Sequence, residues 1–142
     1  MEPTLLGLVL DSSALIVAER RHLTAAQAID RVRQVAGELP IVLSVVSVAE
    51  IGHGIYRANT PEVRQRRRAF LDELKATVPV HPVAEATAEI VARIGGEQAA
   101  RGINLPFADV LIGACALELG YAVGTSNLRD FGRIPGLQIV QL

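Results

Sequence analysis

Short β-rich apolar runs alternate with stretches of helical period along this chain. TLLGLVL (4–10) has no charge and reads as a buried strand, and the spacing predicts a helix from Ser12 or Ser13 to about Arg21. Thr24 and Gln27 make the pattern T-x-x-Q, which opens a second helix ending near Gly37. IVLSV after Pro40 is the second strand, and SVAEIGHGIYRA (47–58) the next helix. Thr60-Pro61-Glu62 supplies a cap, a proline at the first helical position and an acid in the first turn, so a helix runs from there to about Ala76.

VPVHPV (78–83) is a short strand whose prolines put it at a sheet edge. EATAEIVARIGGEQAARG has helical period weakened at Gly95-Gly96, and an apolar helix starts at Pro106 and stops at Gly120. YAVGT (121–125) and LQIVQL (137–142) complete the strands. Strands separated by one or two helices imply an α/β fold, with a mostly parallel five-stranded sheet between helical layers. Residues 1–142 fit one domain of that kind. Ligands gather beyond the carboxyl ends of such strands, at the switch in strand order. Asp11 directly follows the first strand, and Ser126-Asn127 follow the fourth.

Composition narrows the chemistry. Half the residues are apolar and only 4% aromatic, so Ala, Val, Leu and Ile must fill the core. With 14 basic and 15 acidic residues, no global charge attracts nucleic acid. Attraction for phosphate must be local, and Lys75 is the one cation that is not arginine. A single cysteine, Cys115 in GACAL, excludes an internal disulfide and a Cys-based zinc cage, and reads as a core thiol. Glu2 and Asp11 argue against a signal peptide, and no apolar run reaches membrane-spanning length. The expectation is a cytoplasmic protein with no membrane association.

Three acids stand in apolar surroundings: Asp11 in LVLDSSALI, Glu50 in VVSVAEIG and Asp109 in LPFADVLIGA. Each has a structural reading. Asp11 can cap the following helix, Glu50 can form a capping box with Ser47, and Asp109 sits at the positive end of a helix dipole. Convergence would point elsewhere. Three carboxylates within about 5 Å would repel by roughly 3 kcal/mol per pair at an effective dielectric of 20. A divalent cation reverses that sign, and oxygen-only ligands favour Mg2+ or Mn2+.

The order LVLDSSALI, SVVSVAEIGHGI, LPFADVLIGACALELG and VGTSNLRDFGRIPGLQI resembles the PIN-domain nucleases, and among them the VapC-type toxins of type II toxin–antitoxin pairs. The resemblance runs from about Leu8 to the C-terminus. It implies a three-layer PIN fold and a Mg2+- or Mn2+-dependent endoribonuclease that leaves a 5′-phosphate and a 3′-hydroxyl. By motif position Asp11, Glu50 and Asp109 would be the metal ligands. Many relatives have Asp where this chain has Asn127, and Asp130 is the alternative fourth carboxylate. Ser12, Thr125, Ser126, Arg129 and Arg133 would contact substrate, with Thr125 and Ser126 holding a water or a phosphate. The resemblance further implies an RNA substrate, a homodimer and a VapB-type antitoxin lying in a groove between SSALIVAERR and the arginine-bearing helix.

RQRRRAF (64–70) is the one dense positive run, with Arg64, Arg67 and Arg68 on one helical face and Arg66 directed elsewhere. It reads either as a phosphate-binding face or as a solvated face balanced by Asp72 and Glu73. Two further function classes remain open: a non-catalytic PIN-like module that binds RNA or a partner, and a phosphatase using Asp11 as nucleophile. The phosphatase pattern wants a second Asp at position 13, where this chain has Ser13.

Overall fold

The computed structural model describes residues 4–142. In chain order its elements are β1 (Leu8–Leu10), α1 (Ser12–Arg20), α2 (Ala25–Ala36), β2 (Ile41–Ser44), α3 (Val45–Tyr56) and α4 (Pro61–Thr77). β3 (Val80–His81), α5 (Glu85–Ala100), α6 (Phe107–Leu119), β4 (Ala122–Thr125), α7 (Leu128–Phe131) and β5 (Ile139–Gln141) complete the order. The sheet order is β3-β2-β1-β4-β5, and every neighbouring pair is parallel. β1 lies at the centre, and the chain departs from it to both sides. That is the switch point the sequence pattern anticipates.

Alternation along the strands builds the three layers. Leu8 and Leu10 face a core with α1, α2, α3 and α4, containing Leu15, Ile29, Ile51, Ile55 and Leu74. Val9 and Val123 face the other core with Val110, Ile112, Phe131 and Ile134. Cys115 belongs to this second core, fully buried, and desolvation pushes its thiol up to about 12. It is a packing residue, as its apolar flanks suggest. Among the described residues no helix is long and apolar enough to cross a membrane.

The local signals at α2 and α4 are realised. Thr24 and Gln27 form the reciprocal capping box, and Thr60 caps α4 by accepting from the Val63 amide. Other boundaries move. α3 starts at Val45 with Ser44 as its cap, so the predicted start at Ser47 is two residues late. Ser47 is fully buried and donates to the Leu10 carbonyl at 3.3 Å instead of capping anything. α5 passes through Gly95-Gly96 without a break, because Val91, Ile94 and Gln98 bury its inner face on either side. α7 has no counterpart in the sequence reading; four residues are too few to show a period.

Two polar clusters fasten the layers. Glu19 is buried and receives Arg66 Nε at 3.2 Å and Arg67 Nε at 3.7 Å, which joins α1 to α4. Arg66 and Arg67 therefore converge on one carboxylate, contrary to the expectation that Arg66 points elsewhere. Arg68 does pair with Asp72, at 3.5 Å, and also donates to the Tyr56 hydroxyl at 2.9 Å. On the opposite face Glu118 accepts from the buried Thr87 hydroxyl at 2.8 Å and lies 2.9 Å from His81 Nε2. These bonds, His81 first, lower the Glu118 carboxyl below its ordinary range and tie β3 to α6.

Candidate active site

The carboxyl ends of β1 and β4 are adjacent in the sheet, so the segments leaving the two strands meet. Asp11 occupies the N-cap position of α1 in extended geometry, yet its side chain caps no helical amide. It is 4% exposed, and its Oδ2 accepts two hydroxyls: Ser13 Oγ at 2.6 Å and Thr125 Oγ1 at 2.9 Å. The simple capping explanation of this buried carboxylate fails. Thr125 is itself fully buried, and its Oγ1 also accepts from the Asn127 amide at 2.8 Å.

Glu50 is in the middle of α3, six residues beyond the cap Ser44, so the capping-box reading with Ser47 fails as well. Its Oε1 accepts from Ser12 Oγ at 2.9 Å across 38 residues of sequence. Asp109 alone keeps its expected place, in the first turn of α6. Pro106 takes the N-cap position and not the first helical one. Asp130, in α7, receives Asn127 Nδ2 at 3.3 Å.

The charges of these acids meet at Asp109. Its carboxyl is raised from 3.8 to about 6, first by burial and then by the negative charges of Asp11, Asp130 and Glu50, with a hydrogen bond to Asp130 added. A helix N-terminus would ordinarily lower an aspartate. Here desolvation and three like charges win. The four acids come from β1–α1, α3, α6 and α7, and separate helix caps have no reason to collect in this way.

Among the described residues no three His, Cys, Asp or Glu side chains stand together as a ligating group. Asp11, Glu50 and Asp130 are near enough to raise Asp109, and Ser12, Ser13 and Thr125 tether Glu50 and Asp11. The donor set is all oxygen, and one oxygen each of Asp11 and Glu50 is committed to hydroxyls. That chemistry fits a hard divalent cation.

The remaining sequence candidates divide. Ser126 joins the cluster through Ser13, with the two hydroxyl oxygens 3.2 Å apart, and Ser12 and Thr125 serve as supports for Glu50 and Asp11. Asn127 supports Asp130. Arg129 and Arg133 are exposed and make no ion pair among the described residues; the Arg133 carbonyl accepts from Gln98. Ser13 is the participant that the sequence reading leaves out. Its signal is position: two residues after an apolar-flanked Asp, in the first turn of a helix, a hydroxyl can reach back to the carboxylate.

The PIN domain family matches residues 8–137. The chain belongs to the PIN-domain family. It is 29% identical to Ribonuclease VapC1 of Rickettsia felis over 135 residues, 95% of this chain and 96% of that protein. Ribonuclease VapC of Rickettsia bellii is equally similar, at 29% over 135 residues with the same coverage. The fold matches the crystal structure of VapBC2 from Rickettsia felis bound to a promoter DNA fragment, with a TM-score of 0.81 at 18% identity. That match covers 95% of this chain and 98% of the other. VapBC-5 from Mycobacterium tuberculosis matches with a TM-score of 0.75 at 24% identity, covering 96% and 99%. The parallel sheet between helices is thus the PIN-like α/β fold that the motif order implies.

Proposed function

We propose that this protein is the toxin of a type II toxin–antitoxin pair, a Mg2+- or Mn2+-dependent endoribonuclease centred on Asp11, Glu50, Asp109 and Asp130. The observation that carries the reading is the collection of three acids from distant segments, Asp11, Glu50 and Asp130, around a fourth, Asp109. The two ribonuclease relatives supply the reaction class. VapBC complexes sharing the fold support a VapB-type antitoxin as partner. A homodimer in the cytoplasm belongs to the same proposal.

Asp11, Glu50 and Asp109 would hold the cation, with Asp130 the fourth carboxylate. The chemistry such an ion supplies when bound is acidification of a water and stabilisation of charge on the scissile phosphate. The chain's own residues prepare that place. Ser13 and Thr125 fix the rotamer of Asp11, Ser12 fixes Glu50, and Asn127 keeps Asp130 turned toward Asp109. Asn127 is therefore a positioning residue in this reading, and Asp130 supplies the charge. Ser126, exposed beside Ser13, offers a hydroxyl to the incoming phosphate, and Arg129 and Arg133 are free to meet neighbouring phosphates.

The alternative, a PIN-like module that binds without cutting, draws on the absence of a ligating group of three among the described residues. Incubation of total RNA with Mg2+ or Mn2+ and sequencing of the new ends separates the two. The nuclease reading expects 5′-phosphate ends from the parent protein, and at least a roughly 100-fold loss in both Asp11→Asn and Asp109→Asn. Parent-like cutting by both variants would overturn it.

A further inference from the structure

Beside the acid cluster lies a recess of about 280 Å3 between α1, α3 and α4. Glu50 belongs to its wall, so the recess and the cluster share a side chain. Ile16 and Ile51 give it apolar surface, Gly54 leaves its α3 side without a side chain, and Arg20, Arg57 and Arg67 supply cations. Arg67 is fixed: it donates to the Gly54 carbonyl at 2.7 Å and pairs with the buried Glu19. Arg20 and Arg57 are exposed and make no ion pair among the described residues.

We propose that this recess is a nucleotide subsite, taking the base of an RNA residue flanking the cleaved bond against Ile16 and Ile51, with its phosphate on Arg20 and Arg57. The inference rests on the proposed function in taking the ligand to be RNA. Volume sets the scale: at about 280 Å3 the recess lies just under the range of ligand pockets, roughly 300 to 1,000 Å3, and has room for no more than one nucleotide. Charge sets the sign. Glu19 is already matched by Arg66 and Arg67, which leaves Arg20 and Arg57 in the recess wall without an ion pair among the described residues and open to an anion. Single-stranded RNA is held by this combination: arginines on the backbone, with bases laid on apolar surface or on guanidinium planes. The groove between α1 and α4 that the resemblance implies for an antitoxin includes this recess, so RNA and antitoxin would compete for it.

The geometry offers two independent perturbations. A Cβ on Gly54 would meet only Arg67 Nη1, at 3.9 Å, so Gly54→Leu fills the recess without a backbone clash in a helix that gains propensity. Arg20→Ala/Arg57→Ala removes surface charge and leaves the Glu19 pairs intact. Binding of a fluorescein-labelled random hexaribonucleotide is measured by anisotropy in an Asp109→Asn background, where RNA is not cut. The arginine pair is expected to weaken binding about tenfold and to flatten the log–log salt slope by about 0.7, for one single-strand phosphate contact. Gly54→Leu is expected to weaken binding to a similar degree with the slope unchanged. Affinities within about twofold of the parent and an unchanged slope in both variants would overturn the subsite. Unchanged RNA binding with loss of antitoxin complex would do so too, assigning the recess to protein. If the wild-type protein cuts no RNA while recess-dependent binding persists, the nuclease reading falls and the subsite stands.

Discussion

Asp109→Asn is expected to melt about 3 °C above the parent protein at pH 7 in chelator, and to lose RNA cleavage altogether. The stability gain comes from the raised carboxyl. Moving from 3.8 to about 6 would correspond to roughly 3 kcal/mol for a fully shielded group. Asp109 is only half-buried, so solvent screening reduces this to about 1 kcal/mol, or about 3 °C for a chain of this size. The sign has a pH signature. A carboxyl raised in the folded state contributes its stability below the unfolded value, 3.8, and that contribution is lost as pH rises through about 6. The difference between parent and variant should therefore close by about pH 4 and be full at about pH 8. Calorimetric melting across that range checks it; a variant less stable than the parent at the alkaline end would contradict the repulsion. Millimolar Mg2+ is expected to erase the difference, since a bound cation favours the ionised parent alone.

Phe131→Ala is expected to cost about 4 kcal/mol, the range for emptying a fully buried aromatic site, and roughly 12 °C in melting temperature. The functional consequence is sharper than the number. α7 is four residues long and has no side-chain cap, so it does not hold itself. Phe131, packed in the second core with Val110 and Ile134, is what fixes it, and Asn127 and Asp130 ride on that anchor. Cleavage should fall with the fold intact at low temperature, because Asp130 is no longer held toward Asp109. Denaturant unfolding that shows a cost below about 1 kcal/mol would contradict the anchoring role.

Much of this architecture is legible without coordinates, and the reasons differ by element. β1 and β4 are short and wholly buried, so an uncharged apolar run ended by Asp11 or by Ser126-Asn127 identifies both the strand and its functional end. Asp11 and Asp109 stand out because charge among apolar residues needs a compensating partner. Glu50 is found for the same reason, although it stands deeper in its helix than the Ser47 capping box implies. The β-branched run IVLSVVSV does not mark where extension turns to helix, and tertiary contacts choose Ser44 over Ser47.

Other features leave no local trace. Gly95-Gly96 weakens a helix by intrinsic propensity, and packing on either side overrides it. The convergence of Arg66 and Arg67 on Glu19 depends on how α4 crosses α1, a relation between segments 47 residues apart. The His81–Glu118–Thr87 cluster likewise joins α5, α6 and an edge strand that the sequence separates. Spacing within one segment cannot carry such information.

The proposed activity depends on four negative side chains whose proximity becomes favourable only around a doubly charged ion. Calorimetric titration of the metal-free protein with Mn2+ tests this most directly. Saturable binding to the parent is expected, with an affinity at least about tenfold weaker in Asp11→Asn and both proteins folded. Equal Mn2+ binding by the two, or none by the parent, would contradict it.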